Sequence, residues 1–147
     1  MSHALLDVNA LIALLWPAHA QHAAALKWLR RRGHLGWATC PHTEIGFIRI
    51  VSNPAFSRDA VSPGEAAALL RANTSPSRHV LWPEEDPPSG GLARFGPALQ
   101  GHQQVADAYL LQLAEKRGGR LATFDRGLSA LVGPDLVPAA HLEIIPV

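Results

Sequence analysis

The stretch QQVADAYLLQLAEKRGGRLATFD, residues 103–125, runs through two hydrophobic periods in succession, and their order decides the fold. Its first part, residues 103–117, is built from good helix formers, carries basic residues in its last turn and stops at Gly118-Gly119, as a helix does. Its second part, residues 121–124, is a short apolar run closed by Asp125, the pattern of a buried strand. A helix that feeds straight into such a strand is half of a βαβ unit. Working outward, similar apolar runs occur at residues 4–6, 35–39, 79–82 and 142–145. Between them, residues 19–32 (HAQHAAALKWLRRR) place Ala23, Leu26 and Leu29 at helical spacing and end at Gly33. Ser62, Pro63 and Glu65 form a capping-box signature that opens a helix to about Ala72. Strands alternating with helices give an α/β protein, a three-layer α/β/α sandwich around a central, mainly parallel sheet. Residues 83–97 (PEEDPPSGGLARFGP) are dense in proline, glycine and acids and read as a loop. With no internal repeat and no linker, residues 1–147 read as one domain.

Composition removes several classes. Hydrophobic residues at 48% and charged residues at 17% exclude disordered and fibrous chains. The apolar stretch at residues 4–16 is broken by Asp7 and Asn9, is too short to span a bilayer and lacks the plan of a signal peptide. A cytoplasmic protein without a membrane role is expected. The single cysteine, Cys40, cannot form an internal disulfide and reads as a small buried residue. The nucleophile elbow, the P-loop and the dinucleotide fingerprint are all missing from the sequence.

In a parallel α/β sheet, ligands bind beyond the carboxyl ends of the strands. Asp7 and Asp125 each follow an apolar strand run directly; each reads as a site acid or as the N-cap of the next helix. Glu44 heads an apolar stripe of Phe47, Ile48 and Val51, and Asp107 heads one of Leu110, Leu111 and Ala114. A carboxylate on a core-facing stripe is costly unless it is paired or bound to a cation. Asp7, Glu44, Asp107 and Asp125 are therefore expected to converge. Two carboxylates about 4 Å apart repel by roughly 4 kcal/mol at an effective dielectric near 20, so such a cluster needs a cation. All-oxygen donors favour Mg²⁺ or Mn²⁺ over zinc. The eight histidines show no zinc-ligand spacing; His19 and His22 read as a solvated helix face, while His42 and His102 lie near the acids in sequence as candidate substrate contacts.

Setting those four acids aside leaves eight acids against thirteen basic residues, eleven of them arginine, a balance that suits a polyanion. An acidic metal site in a basic surround is the arrangement phosphodiester hydrolysis requires. Arg30, Arg31, Arg32 and Arg49 are the candidate backbone contacts, the triplet reading equally as a helix end.

The segments LLDVNALIALL, TEIGFIRIVSNP and QVADAYLLQLAEKRGGRLATFDRGL resemble the PIN-domain ribonucleases, in particular the VapC-type toxins of bacterial toxin-antitoxin pairs. The resemblance covers almost the whole chain. It implies metal-ligand and catalytic roles for Asp7, Glu44, Asp107 and Asp125, and supporting roles for Asn9 and for Thr123 of the T-x-D pattern. Asn9 reads otherwise as a helix cap, and Thr123 as an ordinary strand residue. Some relatives carry a further acid soon after the last one, where residues 126–131 have none. The family also implies a homodimer and a VapB-type antitoxin whose tail sets a basic side chain near the carboxylates. The expected function is thus a Mg²⁺- or Mn²⁺-dependent endoribonuclease acting as a toxin. The competing expectations are a non-catalytic module that binds RNA or protein on the same fold, and a small-molecule phosphatase or phosphoacceptor domain.

Overall fold

A computed structural model describes residues 3–75 and 78–147. Five strands, β1 (His3–Leu6), β2 (Gly36–Thr39), β3 (His79–Leu81), β4 (Arg120–Thr123) and β5 (Leu142–Ile144), form one sheet in the order β3-β2-β1-β4-β5. Every pairing is parallel, so the sheet is wholly rather than mainly so; Leu5, for example, lies opposite Ala38 of β2 and Leu121 of β4. The crossovers carry helices α1 (Val8–Leu15), α2 (His22–Arg31), α3 (Pro41–Val51), α4 (Pro63–Thr74), α5 (Pro88–Gly91) and α6 (Val105–Lys116).

Alternation along the strands separates two cores. Ala4 and Leu6 of β1, Trp37 of β2 and Ala122 of β4 pack with α1 to α4. Leu5, Ala38 and Leu121 face the other way, against Leu110, Leu111 and Ala114 of α6 and the 3₁₀ turn at Arg126–Leu131. The three layers expected from the sequence are therefore present. Gly118, at φ 67°, ends α6 in the left-handed conformation that glycine adopts without strain. Gly46 lets α3 approach the first turn of α1, because a Cβ there would fall 2.6 Å from Val8 Cγ2.

Chain order fixes where a site can form. From β1 the chain moves outward to β2 and β3, then crosses back to lay β4 on the other side of β1. The β1–β4 boundary is thus the topological switch point, where crossovers diverge and leave a crevice beyond the strand ends.

Two expectations need correction. Residues 83–97 are a folded strap rather than a plain loop: α5 leads into 3₁₀ turns at Leu92–Ala98, and Phe95 is 1% exposed in the core against α6. Lys116 Nζ lies 2.8 Å from Asp86 Oδ2, and Arg117 donates to the Pro83 carbonyl at 3.1 Å. One buried aromatic and these ties outweigh a loop-like composition. Within the second helix, Ala25 and Trp28 are the buried positions, flanked by Leu26 and Leu29, while Ala23 is exposed. The stretch before it is a turn in which His19 bonds Asn9, and His22 Nδ1 lies 2.7 Å from the Ala13 carbonyl. Both histidines brace α2 against α1 instead of forming a solvated face.

Candidate active site

Asp7 and Asp125 stand on the two sides of the switch point, after β1 and β4. Asp7 is the N-cap of α1: its Oδ1 accepts the Ala10 N–H at 2.8 Å. Its Oδ2 accepts the Thr123 hydroxyl at 2.5 Å. Thr123 Oγ1 in turn accepts the Asp125 N–H at 3.0 Å, and Asp125 Oδ1 accepts the Gly127 N–H at 2.8 Å. A buried threonine thus ties the two strand-end acids together. Both aspartates cap the turn that follows them and stand at the carboxyl edge of the sheet. Thr123 is no ordinary strand residue, since its hydroxyl makes both bonds.

Asp107 enters from the opposite layer, on the first turn of α6. Together with Asp7, Val8, Asn9, His42, Ala106, Leu110, Thr123 and Asp125 it lines a cavity of about 300 Å³ at the carboxyl end of the sheet. Burial pushes the Asp107 carboxyl up to about 7, with the negative charges of Asp7 and Asp125 adding to the effect. Burial also raises Asp7, aided by the charge of Asp125 and opposed by the bonds from Thr123 and Ala10. Two acids in one hollow are thus shifted toward the neutral form, first by burial and then by neighbouring carboxylate charge.

Glu44 is held back from the other three. It lies one turn into α3 on the expected stripe, with Phe47 and Val51 fully buried beyond it. Its Oε2, however, accepts the hydroxyl of Thr39 at 2.6 Å, and Thr39 Oγ1 also lies 2.8 Å from His79 Nε2. This is the same carboxyl edge one strand further along, at the end of β2. Asp7, Asp107 and Asp125 thus line one cavity, while the Glu44 carboxylate is bonded to a buried threonine at the end of the next strand. Among the described residues, no three His, Cys, Asp or Glu side chains stand close enough to ligate one ion as placed. The donor chemistry still fits a hard divalent cation. Asp7, Asp107 and Asp125 offer only oxygen, and among the described residues His42 is the one basic side chain on the cavity wall.

The arginines are elsewhere. In a βαβ crossover the helix starts at the carboxyl edge of the sheet and ends at the amino edge, so Arg30, Arg31 and Arg49, in last helical turns, are carried away from the acids. Arg32 is buried; its Nη2 and Nε donate to the Gly36 carbonyl at 2.9 and 3.2 Å, and it pairs with Glu143 at 3.7 Å. It braces β2 and β5 and does not face the cavity. Asn9 lines the cavity, but its amide is spent on His19 and Gln21 and touches no acid. His102 borders a separate hollow formed by residues 100–104. His42 is on the cavity wall. The sequence gives no sign of Thr39, which bonds Glu44, or of Glu84, which accepts from both the His42 N–H and the Tyr109 hydroxyl. Glu84 lies in an acidic, proline-rich stretch with no motif to mark it.

Comparison with known proteins identifies the family. A family model described as the PIN domain matches residues 4–133. Ribonuclease VapC39 of Mycobacterium tuberculosis is 45% identical over 134 residues, which cover 91% of this chain and 96% of the relative. Ribonuclease VapC38 of the same species is 41% identical over 128 residues, covering 87% and 89%. Ribonuclease VapC29 is 40% identical over 132 residues, covering 88% and 90%. The family match takes in β1, β4 and the switch point between them, and with identities of this size the chain belongs to the PIN-domain family.

Proposed function

We propose that this chain is a metal-dependent endoribonuclease that hydrolyses RNA phosphodiester bonds as the toxin of a VapBC-type pair. One observation carries the proposal: three carboxylates from β1, β4 and α6 line a single cavity at the switch point of a PIN-family sheet. PIN-domain VapC ribonucleases are generally metal-dependent, and the all-oxygen donors favour Mg²⁺ or Mn²⁺. Asp7, Glu44, Asp107 and Asp125 are the proposed ligands and catalytic acids. When bound, the metal lowers the pKa of water and neutralises phosphodiester charge. The chain's own residues set the geometry. Ala10 and Thr123 fix both oxygens of Asp7, Thr123 holds the Asp125 backbone, and the first turn of α6 places Asp107 opposite them. In-line attack by water leaves 5′-phosphate and 3′-hydroxyl ends.

The domain is proposed to span residues 1–147, with Asn9 and Thr123 supporting the acids. The proposed partners are an RNA substrate and a VapB-type antitoxin that sets a basic side chain in the acidic cavity. A homodimer is also proposed, and Ile45 and Ile50, exposed on α3, are apolar surface for a second copy. Among the described residues no helix is long and apolar enough to cross a membrane, and action in the cytoplasm is the matching proposal. Purified protein should cleave RNA with Mg²⁺ or Mn²⁺ and lose the activity in EDTA. Asp7→Asn should abolish cleavage with the fold intact. Cleavage unchanged in EDTA, or by Asp7→Asn, overturns the proposal. A missing Mn²⁺ isotherm in calorimetry favours a non-catalytic binding module instead.

A further inference from the structure

An acidic cavity that receives RNA must hold a polyanion with something other than its carboxylates. Among the side chains on the wall, Asp7, Asp107 and Asp125 repel phosphate, the Thr123 hydroxyl is committed to Asp7, and the Asn9 side chain is tied to Gln21 through one amide N–H and to His19 through its oxygen. His42 carries the side-chain donor there with no such tie among the described residues. Its side chain is exposed to the cavity, and its ring makes an edge contact with Tyr109 at 6.3 Å but no hydrogen bond to any described residue. Its backbone is fixed. Glu84 Oε2 accepts the His42 N–H at 2.6 Å, satisfying an otherwise open donor in the first turn of α3, and Glu84 Oε1 accepts the Tyr109 hydroxyl at 2.6 Å. One carboxylate therefore clamps the start of α3 to α6, the helix that carries Asp107.

We infer that His42 is a substrate-binding residue that donates a ring N–H to a non-bridging phosphate oxygen of RNA in the acid cavity, and that Glu84 is its positioning residue. The inference rests on the nuclease reading above and adds to it the chain's own handle on the nucleotide.

The test uses the full chain and a fluorescein-labelled single-stranded RNA. Affinity is read by anisotropy with Ca²⁺ in place of Mn²⁺, and KM and kcat are read separately with Mn²⁺. His42→Ala should weaken RNA binding and raise KM by roughly tenfold, the loss of one hydrogen bond to a charged group. Its kcat and its calorimetric Mn²⁺ affinity should stay within about twofold of wild type. His42→Asn, which keeps a donor, should recover much of the loss. Glu84→Ala should raise KM by a smaller factor, and adding it to His42→Ala should raise KM no further, since a positioning group has nothing left to position. Melting curves check that each variant folds; His42 is exposed, so its truncation removes no core packing. Wild-type affinity and KM in His42→Ala overturn the inference while leaving the nuclease standing. Additive effects of the two substitutions overturn the role of Glu84. A wild-type chain that neither binds nor cleaves RNA overturns the function and the inference with it.

Discussion

Asp107→Asn should make the metal-free protein more stable, not less, with the full gain reached above neutral pH. The Asp107 carboxyl rises from an ordinary 3.8 to about 7, first through burial and then through Asp7 and Asp125. Between those two values the folded chain keeps a proton that the unfolded chain has released. The unfolded state then binds fewer protons, so stability falls as pH rises through the window and stays low above it. At about 1.4 kcal/mol per pH unit the whole span corresponds to roughly 4 kcal/mol. Asp107 is only half-buried, and solvent screening brings the expected penalty down to roughly 1–2 kcal/mol. Asparagine keeps the shape and removes the charge. In EDTA at pH 8, Asp107→Asn should therefore melt about 3–6 °C above wild type, with the gain shrinking toward pH 5.

Divalent ion should invert that order. At about a hundredfold excess over its dissociation constant, Mn²⁺ stabilises a folded protein that binds it by roughly 2.7 kcal/mol. Wild type should gain most of this and Asp107→Asn little. Urea denaturation followed by tryptophan fluorescence, at both pH values with EDTA or Mn²⁺, gives the four numbers. If Asp107→Asn is no more stable than wild type at pH 8 in EDTA, the carboxylates do not crowd one cavity and the electrostatic basis of the site is wrong.

Thr123→Val deletes the donor to Asp7 and the acceptor for Asp125 while keeping the strand shape; we expect a loss of about 1–3 kcal/mol and of most RNA cleavage, with Thr123→Ser restoring both, measured by denaturant titration and a cleavage assay. Arg32→Ala removes two bonds to Gly36 and the pairing with Glu143; it should cost about 2–3 kcal/mol yet leave KM for RNA unchanged, and a raised KM would restore Arg32 as a substrate contact. Burial pushes the Cys40 thiol up to about 11, so a thiol-reactive chromophore at pH 7.5 should label it only after denaturant is added. Asp7→Ala should cost about 1–2 kcal/mol more than Asp7→Asn, because asparagine keeps the cap on α1 and alanine does not. Both should be inactive in the cleavage assay.

The parts of this molecule that follow from local periodicity were legible in the sequence. Residues 103–117 alternate faces with a helical period, and α6 buries Leu110, Leu111 and Ala114 as that period requires. The runs before Asp7 and Asp125 are apolar because β1 and β4 are covered on both faces, and each ends in an acid because a short carboxylate caps the next turn. Ser62 and Glu65 satisfy each other's backbone donors as their spacing implies. What stayed hidden depends on contacts between distant segments. Nothing near Glu44 announces that Thr39 and His79 will hold its carboxylate. Phe95 is one aromatic in a proline- and glycine-rich stretch, and only its burial against α6 turns the stretch into a strap. The arginines were misplaced for a topological reason: adjacency in sequence to a site helix says little when that helix runs the full depth of the sheet.

The two aspartates at the switch point show why a structural and a functional account of one residue need not compete. A carboxylate has two oxygens with about four acceptor positions. Asp7 uses one position on Ala10 and one on Thr123, and Asp125 uses one on Gly127, so both retain acceptor capacity toward the cavity. The caps orient the carboxylates without exhausting them. On Asp7 the same bonds favour the charged form: its donors pull the carboxyl down while burial pulls it up. Asp107 has no such donor among the influences on its carboxyl, and it is the acid driven to about 7. Support is thus unequal across the cavity, with Asp7 fixed by bonds from Ala10 and Thr123 and Asp107 raised by burial and by the charges of Asp7 and Asp125. Under the proposed function, this uncompensated negative charge is what would favour a cation at the switch point over the acids of the strap.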